Sequence, residues 1–317
     1  MDNIAVNEPR AARPTRWSLA RLRQGQRTQD LGPVSLIVRF IVLLGAGIFF
    51  GLPLLWLVLA PTKTDSQFLF ANPLSFGSFA RLGEAWTNLL NYDNGVIIKW
   101  TLNSIFYVVA SIIIQLAVTI PAGYTLATSR FAGRSLTLTL TLVTMVLPAA
   151  AVVLPNFLEL NLFHLIDTPW AVILPAAFYP FGVYIAFIYY SVTLPKDLLA
   201  AGRLDGANEW QLFWNIGLPL ARPLLGVLTF LSFTANWNNF FGPYVFLQSD
   251  TNFNLPVGLY TLINNTAALH PEFASELPIH RAELALTGVI MVLPVALVFL
   301  FAQRAISSGI ITGSTRE

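Results

Sequence analysis

The sequence predicts an all-α membrane protein of six transmembrane helices, with two further short helices on a polar segment between the fourth and the fifth. Three observations predict this class. The 317 residues are 55% hydrophobic and only 11% charged, with a mean hydropathy of +0.64, where soluble domains carry about 25% charged residues. Six stretches stay apolar over the ~20 residues that a bilayer crossing needs. The 18 Lys and Arg divide unevenly between alternate connections, which is how cations set membrane orientation.

Taken in order, residues 1–33 hold Arg10, Arg13, Arg16, Arg21, Arg23 and Arg27 against Asp2, Glu8 and Asp30. They lack an apolar core, which excludes a cleavable signal peptide and predicts a basic cytosolic tail. The six spans are expected over 34–59, 103–126, 135–155, 169–192, 223–247 and 284–304, so that 34–305 forms one membrane domain and 306–317 a second cytosolic tail. Pro53, Pro121, Pro148, Pro180 and Pro294 fall inside or near span ends. Membrane helices accommodate proline where neighbours satisfy the freed carbonyls.

With the N-terminus inside, fourteen cations lie inside: the six tail arginines, Arg39, Arg130, Arg134, Lys196, Arg203, Arg222, Arg304 and Arg316. Only Lys63, Arg81, Lys99 and Arg281 lie outside. The bias predicts a multi-pass membrane protein with both termini cytosolic. Ionisable residues are nearly absent from the span centres and no inverted repeat is evident, which argues against a proton- or ion-coupled carrier. The chain has no Cys. His164, His270 and His280 fall in outer segments at a spacing that suits no metal site. No metal, nucleic-acid or catalytic pattern is read; if ATP drives this protein, another chain binds it.

The inner segment over 194–222 carries the most information. Thr193 is a candidate N-cap, Pro195 suits a first helical turn, and Asp197 complements the positive end of the helix dipole. Ala200, Ala201 and Gly202 form a small-residue patch, and Gly206 is placed to end the helix. Asn208 with Gln211 three residues on forms a capping box for a second helix. On that helix Trp210, Phe213 and Trp214 share one face. An aromatic stripe on the water side must be buried by the membrane interface, by the chain's own bundle or by a partner's groove. Local sequence leaves all three open.

The run "LPKDLLAAGRLDGANEWQLFWNIGLPLARP" resembles the coupling motif, or EAA loop, of ABC-importer permeases. Its wording is similar to the carbohydrate-uptake, maltose-type branch, and within it to the smaller permease of the pair. "LPLLWLVLAPTK", "NSIFYVVAS", "ATSRFAGR", "TANWNNFFGPYVFL", "NLPVGL", "LPIHRAE" and the terminal "GIITGSTRE" extend the resemblance over most of the chain. It implies a type I importer permease whose two short helices meet in an L that docks into a cleft on a cytosolic ATPase. The coupling positions it implies are Ala201, Gly202, Arg203, Asp205, Gly206, Ala207, Trp210, Phe213 and Trp214. Two departures stand out. Ala200 takes the place of the family's acid, so shape and the aromatic stripe must hold the joint. Gly202 replaces the second Ala, which by propensity alone weakens the helix by ~1 kcal/mol.

The resemblance further implies a non-catalytic subunit that works with a second permease, an ATPase homodimer that carries ATP and Mg, and an extracytoplasmic sugar-binding protein. The cargo class it implies is a sugar or oligosaccharide. Glycerol-phosphate derivatives are an alternative cargo, and a stand-alone channel or membrane scaffold is the other class of function. Asn236, Trp237, Asn238 and Asn239 on the fifth span suit a sugar path, or equally helix–helix hydrogen bonds. Tyr179, Tyr184 and Tyr189 are read as packing or interface residues. Thr312 to Glu317 either reach the ATPase pair or are solvated.

Overall fold

The computed structural model describes residues 33–266 and 279–314, with side chains over 34–266 and 279–303. The expected N-terminal tail, apart from Pro33, lies outside the described residues, as do His270 and the last three residues. The chain separates into two compact units between Leu54 and Leu55. The first contains most of α1 (Pro33–Leu59), a 27-residue helix. Its Phe40, Phe49 and Phe50 are exposed.

The second unit is helical throughout its described residues. Thr64 and Gln67 close a capping box on α2 (Asp65–Phe70), and Ser78 caps α3 (Phe79–Asn91). The 33-residue α4 (Val96–Thr128) is the axis of the unit. It packs most extensively on α8 (Pro180–Thr193), and also on α7 (Pro169–Ala177) and α12 (Arg222–Trp237). At the α4–α8 crossing, a Cβ on Gly123 would lie 2.4 Å from Ala186 Cβ. Such close approach is what holds helices together in lipid, where apolar burial gives no drive.

Among the described residues, four helices are long and apolar enough to cross a membrane, or up to six if each of two bent pairs is one span. The third and fifth expected spans, 135–155 and 223–247, are the ones that fall on bent pairs. The third is α5 (Arg134–Val146) and α6 (Ala149–Leu162), bent by 106°. Pro148 has no N–H to continue the ladder, and it holds Leu147 extended at ψ 125. The fifth enters from the inner segment through a 72° bend, and α12 stops at Trp237 instead of running to Leu247. A break at Asn238 precedes α13 (Phe241–Phe246) and α14 (Leu255–Asn265). The last helix, α15 (Arg281–Ser314), runs past the expected end at Arg304 and absorbs Pro294.

Two polar knots fix the side that the sequence places outside. Glu283 on α15 is fully buried. It accepts from Arg81 Nη2 at 3.0 and 3.2 Å, from Asn88 Nδ2 at 3.0 Å and from its own helix at the His280 amide at 2.9 Å. This joins α3 to the last span. Asp167, at φ +59, accepts from the Gln248 and Ser249 amides at 2.9 Å, from the Ser249 hydroxyl and from Asn252. Partial burial pushes the Asp167 carboxyl up. The hydrogen bonds from Ser249, Gln248 and Asn252 outweigh that and hold it down at about 2.

Candidate coupling surface and cargo path

The inner segment folds as two short helices. The first, α9 (Lys196–Leu204), begins after Pro195, so Thr193 ends α8 instead of capping α9. Its C-terminus closes as a Schellman turn: the Gly206 amide donates to the Arg203 carbonyl at 3.1 Å and the Ala207 amide to the Gly202 carbonyl at 3.0 Å. Gly206 stands at φ +84, where an L side chain is strained. The Asn208–Gln211 capping box forms at 2.8 and 2.9 Å and opens α10 (Glu209–Leu212). A π turn (Phe213–Gly217) and α11 (Leu218–Leu220) then lead into α12.

The corner is tight because of Gly202. A Cβ there would lie 2.6 Å from Leu212 Cδ2, and Leu212 is itself buried. The second helix therefore packs onto the first through the missing side chain. Arg203 reaches across the corner in a fork, Nε to Glu209 Oε1 at 2.8 Å and Nη2 to Oε2 at 3.2 Å. Both side chains are about half exposed, so the pair positions the helices and adds only ~0–1 kcal/mol. Glu209 was not singled out from the sequence, because a partner six residues away across a turn has no periodic signature.

The aromatic stripe is split. Phe213 is 5% exposed, with its ring 5.2 Å from that of Tyr124 inside a cluster that includes Tyr190, Leu199, Leu212 and Leu228. Trp210 and Trp214 stay 65% and 48% exposed as an edge-to-face pair at 5.6 Å. The chain's own bundle thus buries one ring and leaves two. Ala201 and Asp205 are exposed, Ala207 packs against the cluster, and Leu204 is 89% exposed. Nothing in the described fold replaces the acid missing at Ala200, which is exposed.

The four residues expected on a sugar path do not act as one group. Trp237 is buried, stacks on Phe233 at 5.6 Å and donates from Nε1 to the Met291 carbonyl at 2.8 Å. Asn238 donates back to the Thr234 carbonyl at 2.8 Å. Asn236 donates to Ser232 Oγ at 3.1 Å, and Ser232 and Gln115 link onward to the Ala176 carbonyl. The carbonyl of Asn239 accepts from Asn254 at 2.8 Å. With Ser104 and Ser111, the side chains of Asn236, Asn239 and Asn254 line a cavity of about 10 Å³, room for roughly one water. Asn236 and Asn238 thus donate to the preceding turn of their own helix, and of the four side chains Trp237 is the one that bonds to another helix, α15.

A larger cleft, of about 430 Å³, opens between α6 and α7. Asn156 and Glu159 supply its polar groups, and the exposed rings of Phe163 and Phe178 flank them. No partner for the Glu159 carboxylate is present among the described residues. Aromatic faces beside an amide and a carboxylate suit a saccharide's CH faces and hydroxyls. The sequence reading stopped the third span at Pro155 and so passed over Glu159.

Comparison with known proteins agrees with this architecture. Residues 119–312 match the family described as "Binding-protein-dependent transport system inner membrane component". The chain is 31% identical over 266 residues to the arabinooligosaccharides transport system permease protein AraQ of Bacillus subtilis, covering 83% of this chain and 90% of that one. It is 32% identical over 225 residues to AraQ of Halalkalibacterium halodurans (71% and 76% covered), and 27% identical over 278 residues to the lactose transport system permease protein LacG of Rhizobium radiobacter (87% and 94%). In fold it is similar to a chain of a bacterial ABC transporter involved in the import of the acidic polysaccharide alginate. That match has a TM-score of 0.74 and 22% identity, and covers 86% of this chain and 96% of the other. The chain belongs to the family of inner-membrane components of binding-protein-dependent transport systems.

Proposed function

We propose that this chain is one permease subunit of an ATP-driven importer that takes a sugar or oligosaccharide from an extracytoplasmic binding protein. It crosses the inner membrane six times with both termini cytosolic. It pairs with a second permease and docks on an ATPase dimer, where ATP and Mg are bound. One observation carries the reading: the corner of α9 and α10 is rigidly built, yet presents Leu204, Trp210 and Trp214 to solvent. A fold that spends a Schellman turn, a capping box and a forked ion pair on one corner, and leaves these apolar side chains bare, is shaped to enter a groove. Ala201, Gly202, Arg203, Asp205, Gly206 and Ala207 form the frame of that corner, and Phe213 roots it in the bundle.

On this reading ATP draws the ATPases together, the two permeases' corners follow, and the bundle opens toward the binding protein. The cleft at Glu159 contacts cargo, while Asn236, Trp237, Asn238 and Asn239 hold the helix break behind it. The similarity to AraQ and LacG supports a neutral saccharide as cargo. The test is reconstitution with the neighbouring permease, ATPase and binding protein, followed by uptake of labelled arabinooligosaccharides and lactose. Asp205→Lys with Gly206→Pro should abolish ATP-driven uptake while the chain still inserts. Uptake that persists in this variant, or recovery of the intact chain with no ATPase, would sink the proposal.

A further inference from the structure

A second cleft, of about 360 Å³, lies at the root of α9, where the end of α4 and the start of α5 meet the end of α8. Four cations line it: Arg130, Arg134, Lys196 and Arg203. No carboxylate does. Glu209 is engaged by Arg203, and Asp197, which follows Lys196 in the chain, does not line the cleft.

Like charges that converge on one cleft repel unless something neutralises them. Arg134 is fixed: its Nε donates to the Leu126 carbonyl at 2.7 Å, and its guanidinium lies 5.6 Å over the Phe187 ring. Arg203 is fixed by Glu209. Arg130 and Lys196 have no hydrogen-bond or ion-pair partner among the described residues. Two held cations and two uncommitted ones therefore surround a polar recess, to which Ser129 adds a hydroxyl. The 13-residue α5 and the 9-residue α9 both start at its rim, with Arg134 and Lys196 as their first residues. Their N-termini add positive potential in the same place.

We infer that this cleft binds a phosphate group and, by tying the α4–α5 turn to α9, sets the pose in which the coupling corner is presented. A phosphate group, as diester or free ion, directs anionic oxygens tetrahedrally at several donors at once, which matches cations arranged around one recess. A free phosphate and an anionic lipid headgroup both supply this group, and the two arms of the experiment tell them apart.

The experiment uses the full chain in nanodiscs, with inorganic phosphate as one probe and phosphatidylglycerol as the other. In discs of phosphatidylcholine alone, inorganic phosphate is titrated at constant ionic strength and followed by phosphorus NMR linewidth and by thermal unfolding. In a second arm, phosphatidylglycerol is mixed into the discs without free phosphate, and co-purifying lipid is counted by native mass spectrometry. Arg130→Gln with Lys196→Gln should weaken whichever probe binds by at least about tenfold. Lys99→Gln, an exposed cation elsewhere, should change nothing. Binding in the first arm identifies a free anion, and binding in the second alone identifies lipid. If neither probe binds the wild type, or the double variant binds as well as the wild type, the inference is overturned. The readouts do not use sugar uptake, so loss of the importer reading would leave this result standing.

Discussion

Gly202→Ala separates two accounts of the coupling corner by the sign of one free energy. By helix propensity, Ala in place of a helical Gly stabilises α9 by ~1 kcal/mol. The packing opposes this. The new Cβ would stand 2.6 Å from Leu212 Cδ2, and Leu212, 1% exposed, has little room to yield. Overpacking of this kind costs ~1–3 kcal/mol. The net expectation is a loss of about 0–2 kcal/mol, confined to α9 and α10, with a larger loss for Gly202→Val. Hydrogen exchange of the amides of α9 and α10, measured in the purified intact chain, reads the local opening free energy. Uptake by the reconstituted transporter should fall in parallel. If Gly202→Ala instead gains ~1 kcal/mol of protection and uptake is unchanged, propensity alone governs the site and the close approach to Leu212 is refuted.

Other perturbations follow from the same structure. Glu283→Ala leaves Arg81, whose side chain is 13% exposed, with the exposed Glu84 at 3.4 Å and should cost up to ~3–5 kcal/mol, read as a lowered melting temperature in detergent; Arg81→Met added to it should recover part of the loss. Asp167 titrates at about 2 in the folded chain, below the ~3.9 of an unfolded Asp. Its contribution is complete above about pH 4 and is lost as pH falls through about 2, so melting curves over this range should be flatter for Asp167→Asn. Glu159→Gln should alter the relative uptake of neutral and acidic oligosaccharides with expression unchanged, and an identical preference would remove Glu159 from the cargo path. Phe213→Ala opens a cavity between Tyr124 and Tyr190; it should leave ATP hydrolysis intact and lower the sugar moved per ATP.

What the sequence disclosed was mostly local. The Gly206 turn and the Asn208–Gln211 box involve neighbours in the chain, and both appear where the residues place them. The aromatic stripe was legible as residues and not as directions. Spacing of three and four puts Phe213 with Trp210 and Trp214 on an ideal α-helix. The π turn that starts at Phe213 changes the winding there, and that ring enters the bundle. The bend at Pro148 was ambiguous for a related reason: Pro53, Pro121, Pro155 and Pro294 all sit inside continuous helices. Which proline breaks a helix depends on whether neighbours stabilise the bend. The Glu283 and Asp167 knots join residues far apart in the chain, and no window of sequence contains them.

Two tyrosines beneath the corner have a mechanical consequence. Tyr189 donates to the Leu220 carbonyl at 2.8 Å and Tyr190 to that of Gly217 at 3.3 Å, while Phe213 wedges against Tyr124. The segment after α10 is thereby pinned at three points to α8 and to the 33-residue α4. On the proposed reading, a push on Trp210 and Trp214 passes through these contacts to α4, which carries it some 50 Å at 1.5 Å per residue.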